Sequence, residues 1–216
     1  MNYLLIAYLT VSIISFVCIL IGNKLLHPKN PLFVILVYLA FVVFFLGRLY
    51  EVARIILNLD IFNTFELGFI GIIGTFSFLL SSHSAISEEI KIKPSKSVNI
   101  KSLILSVLVG LTYLTVLGGN VAIGEKIIDL IVVIYACLNI YYFMRNILLC
   151  NEDKSNLLNR IKMYNIFGII FSILVILLFI SFAYDINLLI LIVSILISID
   201  LLLAMLSFKG VINNGS

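Results

Sequence analysis

Seven apolar runs, each long enough to cross a bilayer, take up nearly all of this chain. They fall at Tyr3–Gly22, Leu32–Asn58, Leu67–Ile86, Ser102–Leu117, Ile127–Leu149, Ile166–Tyr184 and Leu188–Phe208. About 17 to 25 residues suffice for a helix to span the hydrocarbon. The runs are rich in Leu, Ile, Val and Phe and lack the alternation of a strand. Backbone in hydrocarbon must satisfy its own N–H and C=O groups, so the runs predict helices. The expected fold class is all-α: a polytopic integral membrane helical bundle of about seven transmembrane helices. These form a single transmembrane domain over residues 1–216. Charged residues make up 12% of the chain, against about 25% in soluble domains. That places it in the cell (cytoplasmic) membrane as a multi-pass protein.

The basic residues give the orientation. Lys24 and Lys29 lie between runs one and two, and Lys91, Lys93, Lys96 and Lys101 between three and four. Arg145, Lys154, Arg160 and Lys162 lie at or between five and six, and Lys209 follows run seven. The alternate connections hold only Lys126, so eleven of the fourteen Lys and Arg fall on one side. The positive-inside rule makes that side cytoplasmic, with the N-terminus outside and the C-terminus in the cytoplasm. Met1-Asn2-Tyr3 offers no positive n-region and no small-x-small cleavage site follows, which predicts a retained first helix.

The longest gaps are 88–101 and 150–165. The second reads as a short amphipathic helix capped by Asp153, with Leu157, Leu158 and Ile161 on one face and Lys154, Arg160 and Lys162 on the other. Such a segment lies in the inner interface beside anionic lipid. Both basic segments are candidate docking sites for a cytoplasmic or membrane protein partner. No nucleic-acid partner and no cofactor are expected.

Ionisable groups inside a membrane are costly and therefore mark candidate sites. Arg48, Glu51 and Arg54 follow an i, i+3, i+6 spacing that puts all three on one side of the second helix. Glu66, Glu125 and Asp129 belong to the same outer layer. One reading is an outward pocket whose arginines grip an anionic or zwitterionic ligand through their planar forks. The other is a salt-bridge cluster pinning the second helix to its neighbours.

Asp200 lies within Ile197-Ser198-Ile199-Asp200-Leu201-Leu202, about 18 Å from the outer edge by helical rise. Asn139 matches its depth, Ser77 and Ser81 lie within a turn of it, and Tyr113 is shallower. This group reads either as a proton- or cation-coupled site at the midplane or as hydrogen-bonded interhelical glue. Gly68, Gly71, Gly74, Ser77, Ser81 and Ser84 form a stripe of small residues suited to close helix packing, with His83 beside it.

Several classes are excluded. The three cysteines, Cys18, Cys137 and Cys150, lack C-x-x-C spacing and read as packing residues. Bis-histidine haem needs a second intramembrane His, and retinal needs a Lys in the last helix. An intramembrane enzyme remains as a third class: it would need converging groups at one depth, and Asp200 and His83, the one plausible pair, are roughly 6 Å apart in depth. No G-x-S-x-G, H-E-x-x-H or P-loop motif occurs.

In architecture the chain resembles the seven-helix sugar carriers of the SWEET family, which share its length and topology. Those carriers depend on prolines within helices, whereas Pro28, Pro31 and Pro94 lie in loops here. More loosely it resembles the seven-helix sensory region of some histidine kinases, without their output domain. The expected function is a small ligand-sensing, ligand-binding or partner-docking membrane module. The alternative is a small-solute transporter, or a transporter's substrate-binding subunit, built on Asp200.

Overall fold

The structure is a computed structural model and describes residues 3–26, 30–57, 67–91, 94–116, 123–152 and 156–213. Among these residues the chain is all-helical. The seven helices are α1 (Tyr3–Leu25), α2 (Leu32–Ile56), α3 (Leu67–Ile90), α4 (Lys96–Val116), α5 (Ile123–Glu152), α6 (Asn156–Ala183) and α7 (Asn187–Asn213). All seven are long and apolar enough to cross a membrane.

Successive helices run in opposite directions, as contacts at both ends of the bundle record. On the face where the chain begins, Tyr8 at the start of α1 meets Phe182 at the end of α6, and Gly68 at the start of α3 meets Glu51 near the end of α2. On the opposite face, Phe33 at the start of α2 packs edge-on against Phe208 at the end of α7, with ring centroids 6.1 Å apart. Six helices close a ring in the order α1, α2, α3, α5, α6, α7 and back to α1. Helix α4 stands outside it, packed on α5 and touching α6. Its outward side, with Leu103, Ile104, Val107, Leu108, Leu111 and Leu114, is more than half exposed at most of these positions. A water-soluble monomer rarely exposes so continuous an apolar strip.

Close approach explains the tightest seam. A Cβ on Gly47 would stand 2.8 Å from the Cα of Gly71, and one on Gly71 would stand 2.6 Å from the Cα of Gly47. Any larger residue would push α2 and α3 apart. Gly74 continues the seam against Val43. The expected small-residue stripe therefore packs at its glycine end. Its serine end departs from α2, because Ser81 and Ser84 are exposed.

Two helices differ from the sequence expectation, and each difference has a local cause. Helix α4 begins at Lys96 rather than Ser102. Ser95, directly after Pro94, caps it by accepting the Val98 N–H at 3.3 Å, the normal role of an N-cap serine. Val98 and Ser102 are buried against α5, so this polar first turn and a half is packed helix. The basic stretch 88–101 is thus mostly the ends of α3 and α4. The expected separate amphipathic helix over 150–165 is likewise corrected. From Asn156 it is the start of a continuous α6, and Leu158 and Ile161 are fully buried in the core rather than laid on lipid. Asp153 and Lys154 fall outside the described residues.

The turn from α6 to α7 closes without glycine. Asp185 takes a left-handed backbone, φ 52°. Its N–H donates to the Phe182 carbonyl and that of Ile186 to the Ser181 carbonyl, at 3.0 and 3.1 Å. This is the paired bonding of a Schellman cap.

Candidate functional site

The charged ladder of α2 is used up by the helices around it. The Glu51 carboxylate is fully buried and accepts the Gly68 N–H at 3.1 Å. A carboxylate there satisfies a free N–H of the α3 N-terminus and complements its dipole. Its other oxygen receives Arg54 Nε at 3.1 Å and Arg54 Nη2 at 3.0 Å. Arg48, 4% exposed, donates to the Gly68 carbonyl at 3.0 Å and lies over the rings of Tyr8, 5.3 Å away, and Phe44, 5.7 Å away. One short segment thus ties α1, α2 and α3 together. Charges within a membrane span are costly, so three of them on one helix need this mutual compensation. The sequence grouped Glu66 and Glu125 with them. Glu66 and the Glu125 side chain lie outside the described residues.

Asp129 stands elsewhere, on α5, and faces the Tyr113 phenol of α4. Because α4 is outside the ring, Tyr113 belongs to this peripheral seam and does not reach Asp200. Asn139 is fully buried between helices. Its amide donates to the Phe76 carbonyl of α3 at 3.2 Å and to the Tyr135 carbonyl of its own helix at 2.9 Å. Ser77 and Ser81 return their hydroxyls to the carbonyls of Ile73 and Ser77 on α3.

Asp200 lies at the centre of the ring. It is 4% exposed, and its Oδ2 is buried with no hydrogen-bond partner among the described residues. It lines a cavity of about 30 Å³ to which α2, α3, α5, α6 and α7 all contribute. Aromatic residues dominate the wall: Phe41, Phe44, Phe143, Tyr164, Phe167 and Phe171. Thr75 also lines it, and its hydroxyl donates to the Gly71 carbonyl at 2.6 Å. Edge-to-face pairs hold the wall in place, Phe44 against Phe171 at 5.4 Å and Phe143 against Tyr164 at 5.7 Å. Gly168 on α6 makes room for the Phe143 ring, into which any Cβ would collide.

A second polar layer lies beside the cavity on the face where the chain ends. The Tyr164 hydroxyl faces Ser82 of α3. His83 is fully buried, edge-on to Phe143 at 4.4 Å and stacked on Tyr142 at 5.5 Å. Its Nδ1 is 3.3 Å from the Asn146 amide nitrogen. With that amide donating, the ring proton sits on Nε2, which has no partner among the described residues. Further along α5, Arg145 donates to the Ser87 hydroxyl at 2.7 Å and lies over the Tyr142 ring at 4.7 Å.

Among the described residues no three His, Cys, Asp or Glu side chains group as metal ligands. The cysteines are free. What the fold and the site define is a membrane protein with seven transmembrane-capable helices and an acid, Asp200, beside an aromatic cavity, its Oδ2 without a partner among the described residues. The chain matches no family model, no curated protein and no solved structure.

The cavity wall was not visible in the sequence reading, although it left a trace. Phe41 and Phe44 on α2, and Tyr164, Phe167, Gly168 and Phe171 on α6, recur at helical spacing on one side of each helix.

Proposed function

We propose that the protein is a small membrane module that takes up a small molecule inside its helix ring, beside Asp200, and serves as a ligand-sensing or ligand-binding element of the cell membrane. The basic connections put its N-terminus outside and its C-terminus in the cytoplasm. The supporting observation is Asp200 itself, an acid in the wall of a cavity inside the ring, its buried Oδ2 without a hydrogen-bond partner among the described residues. An acid retained as interhelical glue would hydrogen-bond across helices, as Asn139 does. Leaving a buried polar atom unpaired costs about 1–3 kcal/mol, so an acid kept there marks a site rather than a tie.

The ligand role first considered for Arg48, Glu51 and Arg54 gains less support, since their charges are engaged by one another and by the start of α3. Transport is a second reading, favoured by the polar layer of Tyr164, Ser82, His83 and Asn146 that leads from the cavity toward the basic face. The basic segments 88–101 and 150–165 are the proposed contact points for a protein partner.

Native mass spectrometry of the protein released gently with its surrounding lipid tests the reading. A small bound mass present in the wild type and missing from Asp200→Asn is the expected result. Equal occupancy in both would remove Asp200 from the site. A co-purifying protein would bring the basic segments forward.

A further inference from the structure

Away from the ring centre, α5 carries a strip that its neighbours leave uncovered. Ile131, Ile134, Leu138, Tyr141 and Arg145 recur at helical spacing and so share one side of the helix. Helices α3 and α4 both pack on α5 but hardly on each other. Between them Ile131, Ile134 and Leu138 are 39%, 49% and 43% exposed.

At the basic end of the strip both flanking helices reach across to it. Arg145 Nη2 donates to the Ser87 hydroxyl of α3 at 2.7 Å, and its guanidinium lies over the Tyr142 ring at 4.7 Å. From the other side, the Tyr141 hydroxyl donates to the Asn99 side-chain carbonyl of α4 at 3.2 Å. Arg145 is half-buried and has no acidic partner among the described residues. Its Nε is buried, which leaves the outer Nη groups to meet an anion. One turn closer to water, Lys91 follows Ser87 on α3 and Lys96 precedes Asn99 on α4, and both are exposed. The acids described at this corner, Glu88 and Glu89, are exposed and form no ion pair with these cations.

A free anion would need the cations alone, but this corner continues into an apolar bed. Beneath Arg145 the α5 strip is wholly apolar below Tyr141. Leu103 and Val107 flank it on the side of α4 that carries Lys96 and Asn99, and they are 54% and 48% exposed. An anionic headgroup with an acyl chain matches both halves. Basic pockets between helices on the positive face of a membrane protein bind such headgroups. The Arg fork fits phosphate oxygens, and tyrosines sit at headgroup level.

We propose that the seam between α3 and α4 holds one anionic phospholipid, its phosphate on Arg145 with Lys91 and Lys96 alongside, and an acyl chain over Leu138 and Ile134.

The test uses the full chain in mild detergent, titrated with phosphatidylglycerol at physiological ionic strength. Native mass spectrometry counts the bound lipid, and thermal unfolding gives an apparent Kd. One retained phosphatidylglycerol and saturable stabilisation are expected, with neither from phosphatidylcholine. The apparent Kd should rise about tenfold in Arg145→Gln, which removes a charge-assisted bond. It should rise about fivefold in Lys96→Gln, an exposed position whose loss does not threaten folding. Lys24→Gln removes an exposed cation at the end of α1, on the same face, and should leave the Kd unchanged. An equal response to phosphatidylcholine, or a Kd that Lys96→Gln leaves unchanged or Lys24→Gln raises as much, overturns the proposal. Competition by inorganic phosphate or by an oligoglutamate peptide would make the corner a site for a free anion or a protein segment, and the lipid assignment would fall.

Discussion

Two sets of ionisable residues lie within this helix ring, and they are built in opposite ways. Around Glu51, Arg54 and the α3 N-terminus bond one fully buried carboxylate, while Arg48 beside it donates to the Gly68 carbonyl and lies over two aromatic rings. Around Asp200, the neighbours are rings and small residues, and Oδ2 bonds to none of them. Both acids are costly to bury in a membrane, yet among the described residues only the first has hydrogen bonds that offset that cost. Intramembrane charge alone therefore does not separate a staple from a site; the hydrogen-bond partners do.

If the Glu51 layer is a staple, its removal should give the largest effect in the molecule. Glu51→Ala takes the buried carboxylate away from Arg54 and from the Gly68 N–H. Breaking a buried ion pair from one side costs about 3–5 kcal/mol, so folded yield after extraction should collapse. Size-exclusion profiles of tagged protein in mild detergent would show this directly. A well-folded Glu51→Ala with altered ligand response would reverse the assignment and return this layer to the list of sites.

The α2–α3 seam beneath that layer should be next in size. Gly71→Val inserts a branched side chain where even a Cβ would be 2.6 Å from the Gly47 Cα. Overpacking of this kind costs typically about 1–3 kcal/mol. It should lower the unfolding midpoint by several degrees without abolishing folding, because the helices can separate slightly.

The Asp200 cavity should respond with the opposite sign. Asp200→Leu replaces an unpartnered polar group with apolar bulk, and such exchanges are neutral or stabilising. A gain of about 1 kcal/mol, or roughly 2–4 °C in a chain of this length, is expected in the absence of any guest. A loss of several degrees would mean that Asp200 holds helices together, and the contrast with Glu51 would disappear.

The same contrast explains what the sequence could disclose. The number and course of the helices were legible because apolar runs separated by polar breaks are one-dimensional information. The starts of α4 and α6 were not, since Lys96–Lys101 and Asn156–Asn165 are polar in composition and owe their helicity to the burial of Val98, Leu158 and Ile161 on neighbours. Ser95 after Pro94 was the readable cap signal for α4. For the site, Asp200 stood out as an acid deep in an apolar run. Its partners were assigned by depth alone, and depth is one coordinate of three. Ring order supplies the others: it sends Tyr113 to an outside seam with Asp129, uses Asn139 as an α3–α5 tie, and brings Phe41, Phe44 and Phe171 to the cavity.

The smallest expected effect tests that last point. Ser77 and Ser81 match Asp200 in depth, but Ser81 is exposed and its hydroxyl only returns to its own helix. Thr75, two residues before Ser77 on α3, lines the cavity. Ser81→Ala should shift stability by less than about 0.5 kcal/mol, as for other substitutions that touch no buried feature. Thr75→Val keeps the shape and removes the hydroxyl bonded to Gly71, so it should lower the midpoint slightly. If Ser81→Ala lowered the midpoint and Thr75→Val did not, α3 would have to be rotated relative to the ring, and the cavity around Asp200 would have a different wall.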